Sequence, residues 1–158
     1  MLPAPHAHLI VPRLWLGDKD ASMDADFLRR EGITSVFNCT KDLPFSPLIK
    51  RQFRVPVDDN LAAEELENMR AWSPEIVAKV LHEHKQGHTV LVHCFAGKQR
   101  SAAVVAMSLV AKTRQSADAA MAYIRQRRPV AFFPQANFDS SIHGFETMLT
   151  RALASSRT

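Results

Sequence analysis

Two cysteines in 158 residues, Cys39 and Cys94, are too few for a disulfide scaffold, so no network of bridges holds this chain together. In a reducing interior both stay thiols, which leaves their chemistry open. Long apolar stretches are also missing: no run reaches the roughly eighteen residues that a membrane-spanning helix needs. The opening MLPAPHAHLI lacks the charged-then-apolar order of a secretory leader, and the expected compartment is the cytoplasm. Zinc-finger spacing, an RNA-binding aromatic signature and dense Lys/Arg blocks are absent. The net charge of +4 therefore favours encounters with anions without making nucleic acid an expected partner. His6, His8, His82 and His84 form i,i+2 pairs with no acid or cysteine cluster beside them. His82 and His84 would not share a helix face. These histidines read as solvated surface groups, and neither a metal nor another cofactor is expected.

What is present is a 46% hydrophobic chain, enough for one domain over 1–158 with a proper core. LIVPRLWLG reads as strand, turn and strand, broken by Pro12 and ended by Gly17. A helix follows with Ser22 as N-cap, Phe27 and Leu28 for the core and Gly32 as its stop. ITSVFNCT and FRVPV read as strands. Apolar positions from Leu66 to Leu81 recur at helical spacing, with Pro74 allowing a break or a new first turn. TVLVH is a buried strand, and SAAVVAMSLVAK is apolar nearly all round, as a central helix is. A helix capped by Ser116 and a last one from about Phe138 to Ala154 complete the chain. Strands alternating with helices predict an α/β fold with a central, mostly parallel sheet flanked by helices. In such sheets ligands sit beyond the carboxyl ends of strands, where His93 and Cys94 fall.

Five residues, Phe95, Ala96, Gly97, Lys98 and Gln99, separate Cys94 from Arg100 and lead directly into the central helix. A loop of this length can aim its backbone N–H groups inward, and the helix N-terminus adds its positive end. Gly97 permits a turn that a side chain would obstruct. Arg100 offers a planar fork that matches two phosphate oxygens. The field that binds phosphate also stabilises a thiolate, which makes Cys94 a nucleophile able to attack phosphorus in line. Ser101 is placed to donate a hydrogen bond to the sulfur and help it leave. A lone strand-end cysteine is ordinarily a small hydrophobe, but the neighbours at these offsets favour catalysis.

HCFAGKQRS resembles the signature HCxxGxxR[ST] of the cysteine-dependent protein tyrosine phosphatase superfamily. LIVPRLWLGDKDAS, LRREGITSVFNCT, FRVPVDD and RRPVAFFPQANFDSSIHGFE resemble successive segments of its dual-specificity branch, so the likeness runs from about Leu9 to Glu146. It implies a metal-free phosphate-monoester hydrolase acting through a thiophosphate intermediate on phosphotyrosine and phosphoserine or phosphothreonine. The partner is then a phosphorylated protein, the product inorganic phosphate, and the working form a monomer. The usual AGxSRS is AGKQRS here, and Gln135 stands where asparagine is common. Lys98 is similar to the lysine in the AGKGR loop of phosphatase-and-tensin type lipid phosphatases. A phosphoinositide or RNA 5′-end phosphatase and a non-catalytic phosphate-binding module stay open as alternatives. A rhodanese-like sulfur transferase is set aside, its usual loop being one residue shorter. One tyrosine, Tyr123, follows the loop, which implies a shallow cleft; Trp15, Phe45, Phe53 and Phe95 are candidate walls, each more simply explained by packing.

A leaving oxygen needs a proton, and Asp58 and Asp59 are both available in FRVPVDD. If the strand continued, Phe53, Val55 and Val57 would share parity with Asp59 and aim it inward. The family's acid loop also selects Asp59. Cys39 is a candidate for trapping an oxidised Cys94, although a buried structural cysteine is the simpler reading.

Overall fold

The computed structural model describes residues 5–156; the first four residues of the MLPAPHAHLI stretch and the last two of the 1–158 span lie outside the described residues. Five strands and six helices follow one another among the described residues: β1 Ala7–Val11, β2 Leu14–Gly17, α1 Lys19–Met23, α2 Ala25–Arg30, β3 Ile33–Asn38, β4 Arg51–Arg54, α3 Ala63–Lys85, β5 Thr89–His93, α4 Arg100–Thr113, α5 Ala117–Arg127 and α6 Asp139–Ser155. The sheet order is β1-β2-β5-β3-β4. Only β1 runs antiparallel, against β2, so the expected mostly parallel sheet is what forms. In the ladders flanking β5, His93 pairs with Gly17 on one side and Asn38 on the other. The carboxyl ends of three strands therefore finish at one level, the geometry that opens a ligand crevice.

Side chains alternate across a strand, and the core divides accordingly. Val90, Val92, Phe37 and Leu16 face the layer of α3, α4, α5 and α6, while Leu91, Val36 and Ile33 meet Phe27, Leu28 and Ala21 of the smaller helices. Helix α4 is central: every residue from Ser101 to Val110 is buried. Its alanines and valines let neighbours approach on all sides, and Ser108 satisfies its hydroxyl by donating to the Val104 carbonyl at 2.8 Å.

Several local expectations change. Ser22 is no N-cap; it is buried within α1 and donates to the Lys19 carbonyl, whereas Asp24 caps α2 by accepting from the Phe27 N–H at 3.1 Å. The FRVPV strand ends at Arg54, since Pro56 has no N–H for a ladder. Helix α3 runs through Pro74 without a break. Proline leaves the Arg70 carbonyl without its usual i+4 donor, and the Ser73 hydroxyl supplies one at 2.7 Å. His84 is buried rather than solvated, with Nε2 2.7 Å from the Pro12 carbonyl. His8 is half-buried against Arg128.

Glu83, 1% exposed at the end of α3, ties that helix to two strands. Ser35 of β3 donates to its Oε1 at 2.7 Å, and Arg51 of β4 grips it through two nitrogens, Nη2 to Oε2 at 2.7 Å. Arg51, helped by Ser35 and working against burial, pulls the carboxylate down from 4.5 to about 2. A depressed carboxylate stabilises the fold above its unfolded value and loses that contribution as pH falls through the folded value. Glu83→Gln is expected to cost about 1–3 kcal/mol in urea unfolding at pH 7. Its deficit relative to wild type should shrink as pH drops from 4.5 toward 2; a constant deficit would refute the linkage.

Candidate active site

Residues 94–99 make the turn from β5 into α4. Four successive carbonyls of this turn are held from outside: Phe95 O accepts from the Lys19 N–H at 3.1 Å and Lys98 O from the Phe132 N–H at 2.8 Å. Gly97 O accepts from Arg128 Nε at 2.8 Å and Ala96 O from Arg128 Nη2 at 3.3 Å. A trans peptide points its N–H opposite its carbonyl. The N–H groups of Ala96, Gly97, Lys98 and Gln99 therefore turn away from these anchors, and among the described residues none donates to a protein acceptor. That is an anion nest at a helix N-terminus.

Gly97 is obligatory in this arrangement. Its φ is +65°, and an added Cβ would lie 2.5 Å from the Gly17 carbonyl oxygen and 2.8 Å from Arg128 Nη2. Arg128, at the end of α5, is 2% exposed. Its remaining Nη1 reaches the Pro5 carbonyl and His8 Nδ1, each at 2.9 Å. Burial works against its charge, opposed by the negative charges of Asp18 and Cys94.

Cys94 is 2% exposed, with Sγ 3.1 Å from the Ser101 hydroxyl. Arg100 donates from Nη1 to the Val57 carbonyl at 3.0 Å, while its buried Nε has no partner among the described residues. A buried guanidinium N–H without an acceptor is costly unless a ligand completes it. His93 is fully buried, and burial drives its imidazole from 6.5 to about 4, so it stands neutral beside the Cys94 carbonyl. Cys39 is also fully buried; burial first, then the negative charge of Cys94, pushes its thiol well up. A protonated, buried Cys39 suits the structural reading.

A cavity of about 350 Å³ opens over the nest, lined by Asp59, Phe95, Lys98, Arg100, Phe133 and Asn137 among others. Asp59 gets there without a strand beneath it, so the parity argument lapses. Val55 and Val57, both 0% exposed, anchor the acidic turn. Asp58 swings to Lys41, 3.0 Å away, and its N–H donates to Glu65 Oε2 at 2.6 Å, while Asp59 Oδ1 accepts from Asn137 Nδ2 at 2.9 Å.

Of the candidate aromatic walls, Trp15 packs edge-on against Phe27 and Phe53 stacks on Phe37. Phe45 lies against Arg54. Phe95 alone of the four reaches the mouth, 55% exposed, with the Lys19 ammonium 5.2 Å from its ring. Sequence reasoning missed Phe133, 64% exposed and also lining this cavity. It missed Arg128 too, whose only signal was an arginine in the closing RRP segment. His6 does meet acids, contrary to the reading from sequence spacing: Asp18 lies 2.6 Å away, and His6, Asp18 and Asp20 bring ligand atoms within 4.8 Å of one another. Asp18 also caps α1 by accepting from the Ala21 N–H.

The model of the dual specificity phosphatase catalytic domain matches residues 14–148. The chain belongs to this family. Human dual specificity protein phosphatase 2 is 34% identical over 142 residues, covering 89% of this chain and 43% of that protein. Human dual specificity protein phosphatase 8 is 29% identical over 152 residues, covering 94% of this chain and 24% of that one. The chain thus spans less than half the length of these curated relatives. The crystal structure of human DUSP28 superposes with TM-score 0.82 at 29% identity, covering 94% of this chain and 97% of that one. A mouse putative dual specificity phosphatase complexed with zinc tungstate gives TM-score 0.83 at 28% identity, with 97% and 94% covered.

Within this dual specificity phosphatase domain, the nest hangs on Arg128. Removing the guanidinium leaves the Ala96 and Gly97 carbonyls without their donor, so Arg128→Gln should weaken binding of inorganic phosphate by calorimetry at least about tenfold. Unchanged affinity in a folded variant would contradict the anchoring role.

Proposed function

We propose that this chain is a catalytic domain that hydrolyses phosphotyrosine and phosphoserine or phosphothreonine in proteins, with Cys94 as nucleophile. The observation that carries the reading is the nest of four outward-pinned carbonyls with Cys94 at its base and the unpartnered Nε of Arg100 beside it. A dianionic phosphoryl group supplies the acceptors that these donors lack.

The chemistry follows from the positions. Ionised Cys94 Sγ attacks phosphorus as the ester P–O bond breaks, and protonated Asp59 gives its proton to the departing oxygen. The nest and Arg100 hold the three equatorial oxygens through the charged transition state. Water then attacks the thiophosphate, Asp59 takes its proton, and the S–P electron pair returns to Sγ, stabilised by the Ser101 hydroxyl. Inorganic phosphate leaves. No step calls on a metal or cofactor.

Phe95 and Phe133, both at the mouth of the cavity, suit an aryl or peptide substrate, and action as a monomer is part of this reading. Two unbridged cysteines, one of them the nucleophile, fit a reducing compartment such as the cytoplasm. Lys98 at the rim keeps the phosphoinositide and RNA-end alternatives in view. Rates on a phosphotyrosine peptide, a phosphothreonine peptide, a phosphoinositide and a triphosphate-ended RNA separate them; the highest kcat/KM is expected on a phosphopeptide, and a higher value on either other substrate would replace this reading.

Two substitutions test the mechanism. Cys94→Ser should abolish turnover while tungstate still binds, because a hydroxyl is not ionised at neutral pH. Turnover near wild type would exclude the cysteine. Asp59→Asn should slow cleavage of a phosphothreonine peptide about a hundredfold or more, and of an activated aryl phosphate far less. Asp58→Asn, committed to Lys41 and the α3 side of the turn, should cost little; the reverse ranking would move the acid to Asp58.

A further inference from the structure

Gln99 occupies the N-cap of α4 yet makes no capping hydrogen bond. Serine, threonine, aspartate or asparagine would satisfy a free N–H there. The Gln99 side chain, 6% exposed, is committed elsewhere. Its Nε2 donates to the Gln135 carbonyl at 2.6 Å and lies 3.4 Å from the Phe133 carbonyl, while its Oε1 accepts from the Asn137 N–H at 2.9 Å. Together with the bond from Phe132 N–H to Lys98 O, these contacts fasten the segment 132–137 to the cysteine loop. Phe138, 1% exposed, anchors its far end. Asn137 then reaches across the mouth to Asp59 Oδ1 at 2.9 Å, the bond that fixes the Asp59 carboxyl among the described residues.

We propose that Gln99 and Asn137 are positioning residues that set the orientation and protonation geometry of Asp59 by linking it to the cysteine loop. The proposal rests on the reading of Asp59 as general acid. An amide Nδ2 is donor-only, so the oxygen it contacts must accept. Asn137 therefore reserves Oδ1 as the unprotonated oxygen, and the acidic proton is carried on Oδ2. In the first step that proton passes from Oδ2 to the leaving oxygen as the S–P bond forms and the P–O bond breaks. In the second, Oδ2 receives the proton from the attacking water. Gln99 fixes the Asn137 backbone to the loop that holds phosphorus, so acid and phosphoryl group keep one distance. Asparagine also suits an acid that must alternate between two protonation states, since its contact with Oδ1 is kept in both.

The test uses aryl phosphates of graded leaving-group acidity on wild type, Asn137→Ala, Gln99→Ala and each of these in an Asp59→Asn background. Wild type is expected to show a shallow dependence of kcat/KM on leaving-group pKa. Asn137→Ala and Gln99→Ala should steepen it, losing about tenfold on the poorest leaving group and about twofold or less on the best. Neither substitution should add to the loss caused by Asp59→Asn, because residues acting through one group are not additive. Asn137 lies at the surface and its variant should fold, so it keeps the test sound if the buried Gln99 variant does not. Uniform losses across the series, or losses that add to Asp59→Asn, would overturn the relay while leaving the acid in place. A silent Asp59→Asn in an active wild type would instead remove the acid assignment, and the proposal with it.

Discussion

Everything at this site hangs on carbonyl groups that face the wrong way for the ligand. An anion nest needs N–H groups pointing at a common centre, and a peptide chain achieves that only if its carbonyls are accepted on the far side. Here the far side is supplied by three separate elements: the start of α1 through Lys19, the end of α5 through Arg128 and the segment before α6 through Phe132. Arg128 bears the most weight, because a buried cation answers two adjacent carbonyls and the Pro5 carbonyl ahead of β1 at once. The close approach of Gly97 to Gly17 follows from that packing. Side chains are excluded where β2 ends and the loop passes over it.

The fold places this loop by register. Because Gly17, His93 and Asn38 are level across three strands, the chain leaves β5 at the level where both of its neighbours end. Helix α4 then enters the centre of the core, where ten successive buried residues fix its axis. The rigid part of the protein thus sets the nest. The acid comes from a different kind of structure, a turn stapled by Val55, Val57 and the bonds among Lys41, Asp58 and Glu65. Two buried side-chain nitrogens lack partners among the described residues: Arg100 Nε, a donor, and His93 Nε2, the acceptor nitrogen of a neutral imidazole whose Nδ1 faces the Cys94 carbonyl. A structure selected for stability alone would not keep them.

Much of this was legible from sequence because the information is local. The alternation of TVLVH, the all-round apolarity of α4 and the Ser116 cap need only neighbouring residues, and the mostly parallel sheet follows from the order of elements. The remainder divides between near neighbours and distant partners. Ser22 was a plausible cap until Asp24 lay nearer the second helix start, and FRVPV kept strand parity on paper after Pro56 had ended the ladder. His84 looked solvated because its acceptor, the Pro12 carbonyl, lies 72 residues away. Arg128 is 31 residues from Gly97, and no periodicity links them. Gln99 read only as a departure from the family's usual serine. Its partners at 133–137 give the substitution a purpose.

The most direct measurement is to catch the covalent intermediate. Acid quenching during steady turnover of an aryl phosphate, followed by peptide mass spectrometry, should find the phosphoryl group on the peptide containing Cys94 and on its sulfur, at a level that rises when hydrolysis of the intermediate is slowed. Sustained turnover with no phosphorylated Cys94, or with the phosphoryl group on another residue, would contradict the account.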